Sequence, residues 1–228
     1  MYDTDFGFGP FWAPENYDEN TLGFALYPHG QNWPNPSWST LLFRRLTTNI
    51  GFRNKFINRY ADELNTRFLA EKVKNHIDQI YATIEPEVIT HYERWKDDPS
   101  LTDFGVIIDN IESWITNYIN LMKNFADNRP SFVKEHIKDQ FNLSDFHPLT
   151  ITNTSISEGF IEVNENLIIQ EPSWTGDYFE TIPVQLTAIA NNGFEFSHWS
   201  GDLSSTDETI SVSIVGSFEV IPNFTESE

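Results

Sequence analysis

The sequence predicts an α+β protein with two domains, a helical part followed by a small antiparallel β domain. Apolar side chains recur every three or four residues in the first part and every second residue from about Thr150 onward, and these are the periods of helices and strands. All 14 Lys and Arg residues lie between Arg44 and Lys138, whereas the chain beyond Lys138 carries acids and no Lys or Arg. We therefore predict one domain over residues 1–145 and a second, acidic domain over residues 146–228.

Three apolar stripes predict the helices of residues 37–145. The stripes comprise Phe52, Phe56, Tyr60, Leu64 and Phe68, then Leu69, Val73, Ile77, Ile80 and Ile84, then a run from Phe104 to Phe125. Asn128 precedes Arg129 and Pro130, and it predicts the start of a further helix because Pro is favoured in a first helical turn. Residues 1–36 are rich in Gly, Pro and aromatics without a sustained period, which predicts an ordered, motif-bearing loop region over a core.

Strict alternation predicts the strands of the second domain. Val184, Leu186, Ala188 and Ala190 alternate with polar residues, as do Ile210, Val212 and Ile214. Turn residues separate these runs at Asn191-Asn192-Gly193 and Ser200-Gly201-Asp202. The pattern is typical of a small sandwich-like module.

Composition excludes several classes of function. The formal net charge is -20, which disfavours nucleic acid and anionic membranes because both bind clustered cations. The chain has no apolar run of roughly 20 residues, the length that spans a bilayer, and residues 1–5 lack the pattern of a signal peptide. The absence of cysteine excludes disulfides and thiolate metal sites but leaves the compartment open.

The segment Tyr2-Asp3-Thr4-Asp5-Phe6-Gly7-Phe8-Gly9 is the densest candidate for chemistry. Two carboxylates one residue apart, Asp3 and Asp5, suit a hard cation such as Mg²⁺. Gly7 and Gly9 would let the backbone turn closely beneath a bound phosphate. An ordinary turn with local Asp hydrogen bonds accounts for the same pattern.

This segment resembles the Asp-x-Asp-x-x-Phe-Gly motif of the CotH family of atypical protein kinases, with Tyr2 in place of the usual Trp. Later blocks resemble the family's C-terminal lobe in order and spacing. They are Trp33-Pro34-Asn35-Pro36 with Trp38-Ser39, the stretch Phe52 to Asn65, Pro86-Glu87 with His91 to Trp95, and Arg129-Pro130.

The resemblance implies part of a secreted or surface kinase that transfers phosphate from ATP to protein Ser or Thr. It implies that Asp3 and Asp5 hold Mg²⁺ and that Gly7 and Gly9 lie at the ATP phosphates. The family's nucleotide-binding lobe and catalytic-loop Asp precede this motif, so we expect no catalytic residue in residues 1–228 and no activity from this chain alone.

Two other patterns invite a functional interpretation. Asp103-Phe104-Gly105 spells the metal-binding triplet of ordinary kinases, but its position favours a helix start capped by Thr102 or Asp103. The cations of the Phe52 to Asn65 block favour a solvated helix face paired with acids such as Asp62 and Glu63. The alternative is docking of an acidic substrate by four arginines, Arg44, Arg45, Arg53 and Arg59.

The β domain resembles the divergent B-repeat of bacterial surface proteins, through Gly176-Asp177-Tyr178-Phe179, Val184 to Ala188 and Gly193 to Gly201. The resemblance implies a spacer or adhesion module and an extracellular or cell-surface location. Trp174 and Trp199 are predicted core residues, with a glycan-stacking platform as the alternative. A non-catalytic surface-binding or scaffold protein is the alternative to a kinase, and a reading frame that continues upstream into a Lys-bearing lobe would favour the kinase.

Overall fold

The computed structural model describes residues 7–9, 15–27, 36–97 and 111–227. It confirms the predicted α+β arrangement, with helices in the first part of the chain and sheets in the last. The helices are α1 (Thr21–Leu26), α2 (Leu41–Leu46), α3 (Ile50–Leu64), α4 (Ala70–Trp95) and α5 (Ile111–Phe141). The strands are β1 (Phe146–Thr152), β2 (Gly159–Val163), β3 (Leu167–Ile169), β4 (Ser173–Phe179), β5 (Val184–Ala190), β6 (Phe194–Gly201), β7 (Thr209–Val212) and β8 (Phe218–Glu226).

The chain forms two compact units that are interleaved along the sequence. The first comprises Met1–Glu19 and Arg67–Val133, and the second comprises Asn20–Thr66 and Lys134–Glu228. The second unit therefore contains α1, α2, α3 and all eight strands. The predicted boundary between residues 145 and 146 stays a prediction about which parts fold independently.

In the first unit, α4 and α5 are joined by ion pairs. Lys74 Nζ lies 2.8 Å from Asp127 Oδ1, and Lys123 Nζ lies 2.6 Å from Asp78 Oδ1. The hydrogen bond to Asp127 raises the pKa of Lys74 above its ordinary value. Because these groups are partly exposed, solvent screens both pairs and each contributes little to stability.

The predicted helix start at Asn128 is wrong, because α5 continues from Ile111 to Phe141 with Pro130 inside it. Pro130 lacks a backbone N–H, so this position cannot donate the hydrogen bond that a helix normally makes there. Apolar contacts on both sides of Pro130 stabilise the helix despite this missing hydrogen bond. Phe125 and Phe132 contact aromatic rings of the first unit, and Ile137 is 1% exposed within the second.

Asparagine caps and aromatic packing organise the helices of the second unit. The Asn20 and Asn49 side chains accept hydrogen bonds from the first turns of α1 and α3, at 2.7 and 3.0 Å, as expected of this residue type at an N-cap. The Phe56 ring of α3 lies 5.2 Å from the Phe43 ring of α2 and 6.1 Å from the Phe141 ring of α5. These contacts place α3 between α2 and the C-terminal end of α5.

The eight strands form two four-stranded sheets with the orders β4-β1-β8-β6 and β3-β2-β5-β7. Their pairing is antiparallel except for β1 with β8, which is parallel. The alternation predicted for Val184 to Ala190 and for Ile210 and Val212 is confirmed as β5 and β7. Sheet formation begins at Phe146, four residues before the change of period at Thr150.

Side chains from both sheets share one apolar core. Trp199 is completely buried, and its indole Nε1 donates to the Asp207 carbonyl at 3.0 Å. The predicted core role of Trp199 is therefore confirmed, and a stacking platform that uses it is excluded. Gly193 and Gly201 have φ of 91° and 103°, which explains Gly in the two predicted turns.

Ala61 of α3 is part of the same core cluster, together with residues of all eight strands. Burial of this small side chain brings the helix backbone close to the sheets. Within the described residues, no helix has the length and hydropathy needed to cross a membrane.

Candidate functional site

The structure describes only part of the predicted metal and phosphate site. Asp3 and Asp5 lie outside the described residues, as does Asp103-Phe104-Gly105. Gly7 lies in a turn with Phe8, and Gly9, which follows them, has φ of 84°. L-residues with side chains rarely adopt this backbone conformation, so Gly9 is required by the turn itself.

Helix α5 holds the segment that follows the motif. The Phe8 ring packs edge-on against Phe125, with centroids 5.8 Å apart, and the Tyr17 ring lies 5.6 Å from Phe132. Arg129 Nη1 donates to the backbone carbonyls of Tyr17 and Glu19, both at 2.7 Å. One face of α5 thus fixes the position of the chain on the C-terminal side of Asp3 and Asp5.

Helix α3 presents a second, buried polar cluster toward the sheets. Asp62 is 3% exposed, and its Oδ1 accepts hydrogen bonds from Tyr178 Oη at 2.8 Å and from Asn164 Nδ2 at 2.9 Å. One turn earlier, Asn58 Nδ2 donates to the Pro183 carbonyl at 2.8 Å. The Asp62 carboxylate of α3 therefore accepts hydrogen bonds both from the turn between β2 and β3 and from strand β4.

Burial dominates the electrostatics of this cluster. Desolvation raises the pKa of Asp62 above its ordinary value, although hydrogen bonds from Tyr178 and Asn164 oppose the shift. Burial, together with the neighbouring Asp62 charge, also raises the pKa of Tyr178 well above its ordinary value. Tyr178 is consequently a neutral hydrogen-bond donor at neutral pH.

Asn65, at the C-terminal cap of α3, pairs with the backbone of the edge strand β4. Its Nδ2 donates to the Asp177 carbonyl at 2.9 Å, and its Oδ1 accepts from the Asp177 N–H at 3.0 Å. The amide occupies the place that a further strand would take and so covers an open sheet edge. A Cβ on the neighbouring Gly176 would lie 2.8 Å from Asn65 Nδ2 and 2.4 Å from the Trp174 ring, so only Gly permits this approach.

Comparison with known families decides which group of proteins this chain resembles over most of its length. The profile of the CotH kinase protein family matches residues 1–133. The chain belongs to the CotH kinase protein family. The match covers the motif segment, Arg129 and the whole of α3, and it agrees with the resemblance found in the sequence.

A second profile, that of the divergent InlB B-repeat domain, matches residues 173–228. The match begins at β4 and follows the CotH region in the predicted order. No curated protein and no solved structure matches the chain significantly. The fold and the two family matches are therefore the basis for inference about function.

The structure of α3 shows that one prediction about this helix is wrong. Asp62 was predicted to pair with cations on a solvated helix face, but it is buried against Tyr178. The predicted cation and acid pairing does occur at Arg59 and Glu63, 2.8 Å apart, and Lys55 pairs with Glu165 at 3.1 Å. Spacing alone did not separate Asp62 from Glu63, since adjacent helix positions differ by only about 100° around the axis.

The four arginines proposed to dock an acidic substrate differ in their surroundings. Arg44 donates to Thr40 Oγ1 at 2.5 Å and to the Ser37 carbonyl at 2.6 Å, and Arg59 pairs with Glu63. Local hydrogen bonding thus explains the position of the Arg44 side chain, and ion pairing explains that of Arg59. Docking of an acidic substrate by the set stays a prediction.

Proposed function

We propose that this chain is the C-terminal portion of a CotH-like secreted or cell-surface protein kinase. The complete protein would transfer phosphate from ATP to Ser or Thr of a protein substrate. The observation that carries the proposal is the CotH match over residues 1–133, which begins at the Asp-x-Asp motif. The contacts of Phe8, Tyr17 and Glu19 with α5 support it, because a metal-binding loop needs a fixed support.

Asp3 and Asp5 are the proposed ligands of Mg²⁺, and Gly7 and Gly9 the proposed contacts to ATP phosphates. Two carboxylates in one short segment are a donor set that suits this hard cation. The left-handed conformation at Gly9 supports a close turn of the backbone beside them. Bound Mg²⁺ would neutralise charge on the transferring phosphoryl group.

Phosphoryl transfer also needs a phosphate clamp and a group that orients the nucleophile. In the family both precede the Asp-x-Asp motif, so residues 1–228 would not catalyse the reaction by themselves. The partners required are then an N-terminal kinase lobe and a protein substrate or surface protein.

The test is a kinase assay on a protein extended upstream to include that lobe. Wild type should show metal-dependent autophosphorylation or substrate phosphorylation, and Asp3→Ala with Asp5→Ala should abolish it while the circular dichroism spectrum is unchanged. Asp103→Ala is the matched control, because it removes the carboxylate of the other Asp-Phe-Gly pattern and leaves the proposed metal ligands, Asp3 and Asp5, in place. An extended wild type that phosphorylates nothing, or a double variant that stays fully active, would refute the proposal.

A non-catalytic surface-binding or scaffold role is the second candidate. The observation that favours it is the attachment of α3 to the sheets, because a rigid connection between helices and a β module suits a protein that presents a binding surface. The B-repeat match supports location at the cell surface for either role. Surface labelling of intact cells, compared with a cytosolic marker protein, tests that location independently of any kinase activity.

A further inference from the structure

Strand β7 lies at the end of the sheet β3-β2-β5-β7, and among the described strands it pairs with β5 alone. The backbone hydrogen bonds of β5 alternate between its two neighbours. On the β2 side, the Gln185 carbonyl accepts from the Asn164 N–H at 2.9 Å. On the β7 side, the Ala188 N–H donates to the Glu208 carbonyl at 3.0 Å. Odd-numbered residues of β5 therefore bond to β2, and even-numbered residues bond to β7.

The same alternation fixes the direction of the backbone groups along β7. Ile210 and Val212 lie opposite even-numbered residues of β5, so their N–H and C=O groups point toward β5. The N–H and C=O groups of Thr209 and Ser211 then point to the open side of the strand. No other backbone group of the described residues bonds to these four, so the edge of β7 is open to a further strand.

A cleft of about 490 Å³ lies along β7. Five consecutive residues, 209–213, line it. Successive side chains of a strand point to opposite faces, so a lining that includes all five indicates that the cleft borders the edge of the strand. Leu203 and Phe218 also line the cleft, and both pack against the core. The cleft thus combines outward backbone groups with apolar side chains.

The charge of the cleft is negative. Asp202 and Asp207 line it and are exposed, and its described lining contains no Lys, Arg or His. Asp202 Oδ2 accepts from the Glu219 N–H at 2.7 Å, which fixes this carboxylate at the cleft. The Asp207 carbonyl accepts from Trp199 Nε1 at 3.0 Å, which fixes its backbone. Since the chain beyond Lys138 contains no Lys or Arg, the cleft favours a ligand that supplies them.

We propose that the open edge of β7 binds an extended, basic segment of a partner protein by strand addition, with Lys or Arg of that segment beside Asp202 and Asp207. An extended chain presents N–H and C=O groups at the same spacing as Thr209 and Ser211. Alternate side chains of an added strand occupy pockets, and an apolar one would lie on the apolar lining. Edge-to-edge pairing with a second copy is disfavoured, because the carboxylates of both copies would meet. The site is independent of phosphoryl transfer, since all of its residues belong to the β domain.

The test measures fluorescence anisotropy of a labelled peptide of alternating Lys and Val, about eight residues long, within the usual length of a strand. Wild type should bind it at least about tenfold more tightly at low salt than the same peptide with Glu for Lys. Asp202→Asn with Asp207→Asn should remove most of this preference. Glu171→Gln with Glu195→Gln removes the same charge from other exposed positions and should keep it.

Proline variants test whether the peptide pairs with the backbone. Ser211→Pro should weaken binding about fivefold or more, because it removes an outward N–H and leaves the bonds to β5 in place. Ile168→Pro is the matched control at the other edge of the sheet. Ile168 lies opposite Glu162, whose backbone groups bond to β5, so the N–H of Ile168 also points outward. Near-UV circular dichroism establishes that both variants are folded.

Hydrogen exchange tests the site in wild type without any variant. The Thr209 and Ser211 amides should gain protection when the Lys peptide binds, and the amides of β3 should not. The proposal is wrong if the Lys peptide does not bind, if the Lys and Glu peptides bind equally, or if exchange at Ser211 is unchanged. It is also wrong if folded Ser211→Pro and Ile168→Pro bind alike. A dimer in sedimentation that folded Ser211→Pro abolishes would overturn it too, because a second copy would then occupy the edge.

Discussion

Asn65→Ala should detach the end of α3 from the edge of the sheet. The substitution removes two hydrogen bonds to Asp177, at 2.9 and 3.0 Å, and each is worth about 1 kcal/mol. Asn65 is 7% exposed, so the truncation also leaves a small gap. We expect the free energy of unfolding of the second unit to fall by about 2 to 3 kcal/mol.

Urea unfolding measures that loss, and hydrogen exchange locates it. The Asp177 amide should exchange faster in Asn65→Ala, whereas amides in the centre of β5 should keep their protection relative to global unfolding. Asn192→Ala, in the exposed turn after β5, is the control and should change stability by less than about 0.5 kcal/mol. Unchanged exchange at Asp177, with a stability loss no greater than the control's, would show that Asn65 does not hold α3 to β4.

Three further predictions concern other contacts. Gly176→Ala should cost about 1 to 3 kcal/mol in urea unfolding, because its Cβ would lie 2.4 Å from the Trp174 ring; stability equal to wild type would mean that β4 can move. Arg129→Ala should speed amide exchange around Tyr17 by releasing two carbonyl contacts, with the β strands unaffected; unaltered exchange there would contradict the role given to α5. Asp62→Asn should be at least as stable as wild type at pH 7, and this advantage should shrink as pH falls toward 3.8. Burial raises the pKa of Asp62 above 3.8, so the native wild type takes up a proton before the unfolded chain does; an advantage that is constant with pH would contradict this.

The periodicity of apolar residues was sufficient to predict which segments are helices and which are strands, because most of these elements bury one regular face. Val184, Leu186 and Ala188 are all buried along β5, and the alternation that results is visible in the sequence. Pro130 misled the prediction because its backbone preference is local, whereas the contacts that sustain α5 on either side of it involve distant residues. The parallel pairing of β1 with β8 joins segments almost 70 residues apart, and no local pattern encodes it.

The candidate sites differ in how far the sequence predicts them. The Asp-x-Asp motif is contiguous and was found as a pattern, although its metal-binding role stays a prediction. The cluster at Asp62 was missed because its partners, Asn164 and Tyr178, are over 100 residues away in sequence. The one local signal was a polar side chain at every fourth position of α3, at Asn54, Asn58 and Asp62. The same spacing is common on exposed helix faces, so it does not by itself predict a buried cluster.

The segment between the two family matches has a structural role of its own. Residues 134–172 belong to neither match, yet they supply β1, β2 and β3. Strand β1 lies between β4 and β8, and β2 lies between β3 and β5. Without this segment, β4 would lose its partner in the sheet, and Asp62 would lose its hydrogen bond from Asn164.

The CotH-matched helix α3 and the B-repeat-matched strands are therefore parts of one folding unit. Ala61 enters the sheet core, while Asp62 and Asn65 bond to β4. A flexible spacer would not need a buried carboxylate and a paired amide at its junction, because such groups specify one orientation and cost stability when they are misplaced. The arrangement indicates that the β module has a fixed orientation relative to α3, so that substitutions at Tyr178 or Gly176 would perturb a helix of the kinase-family region.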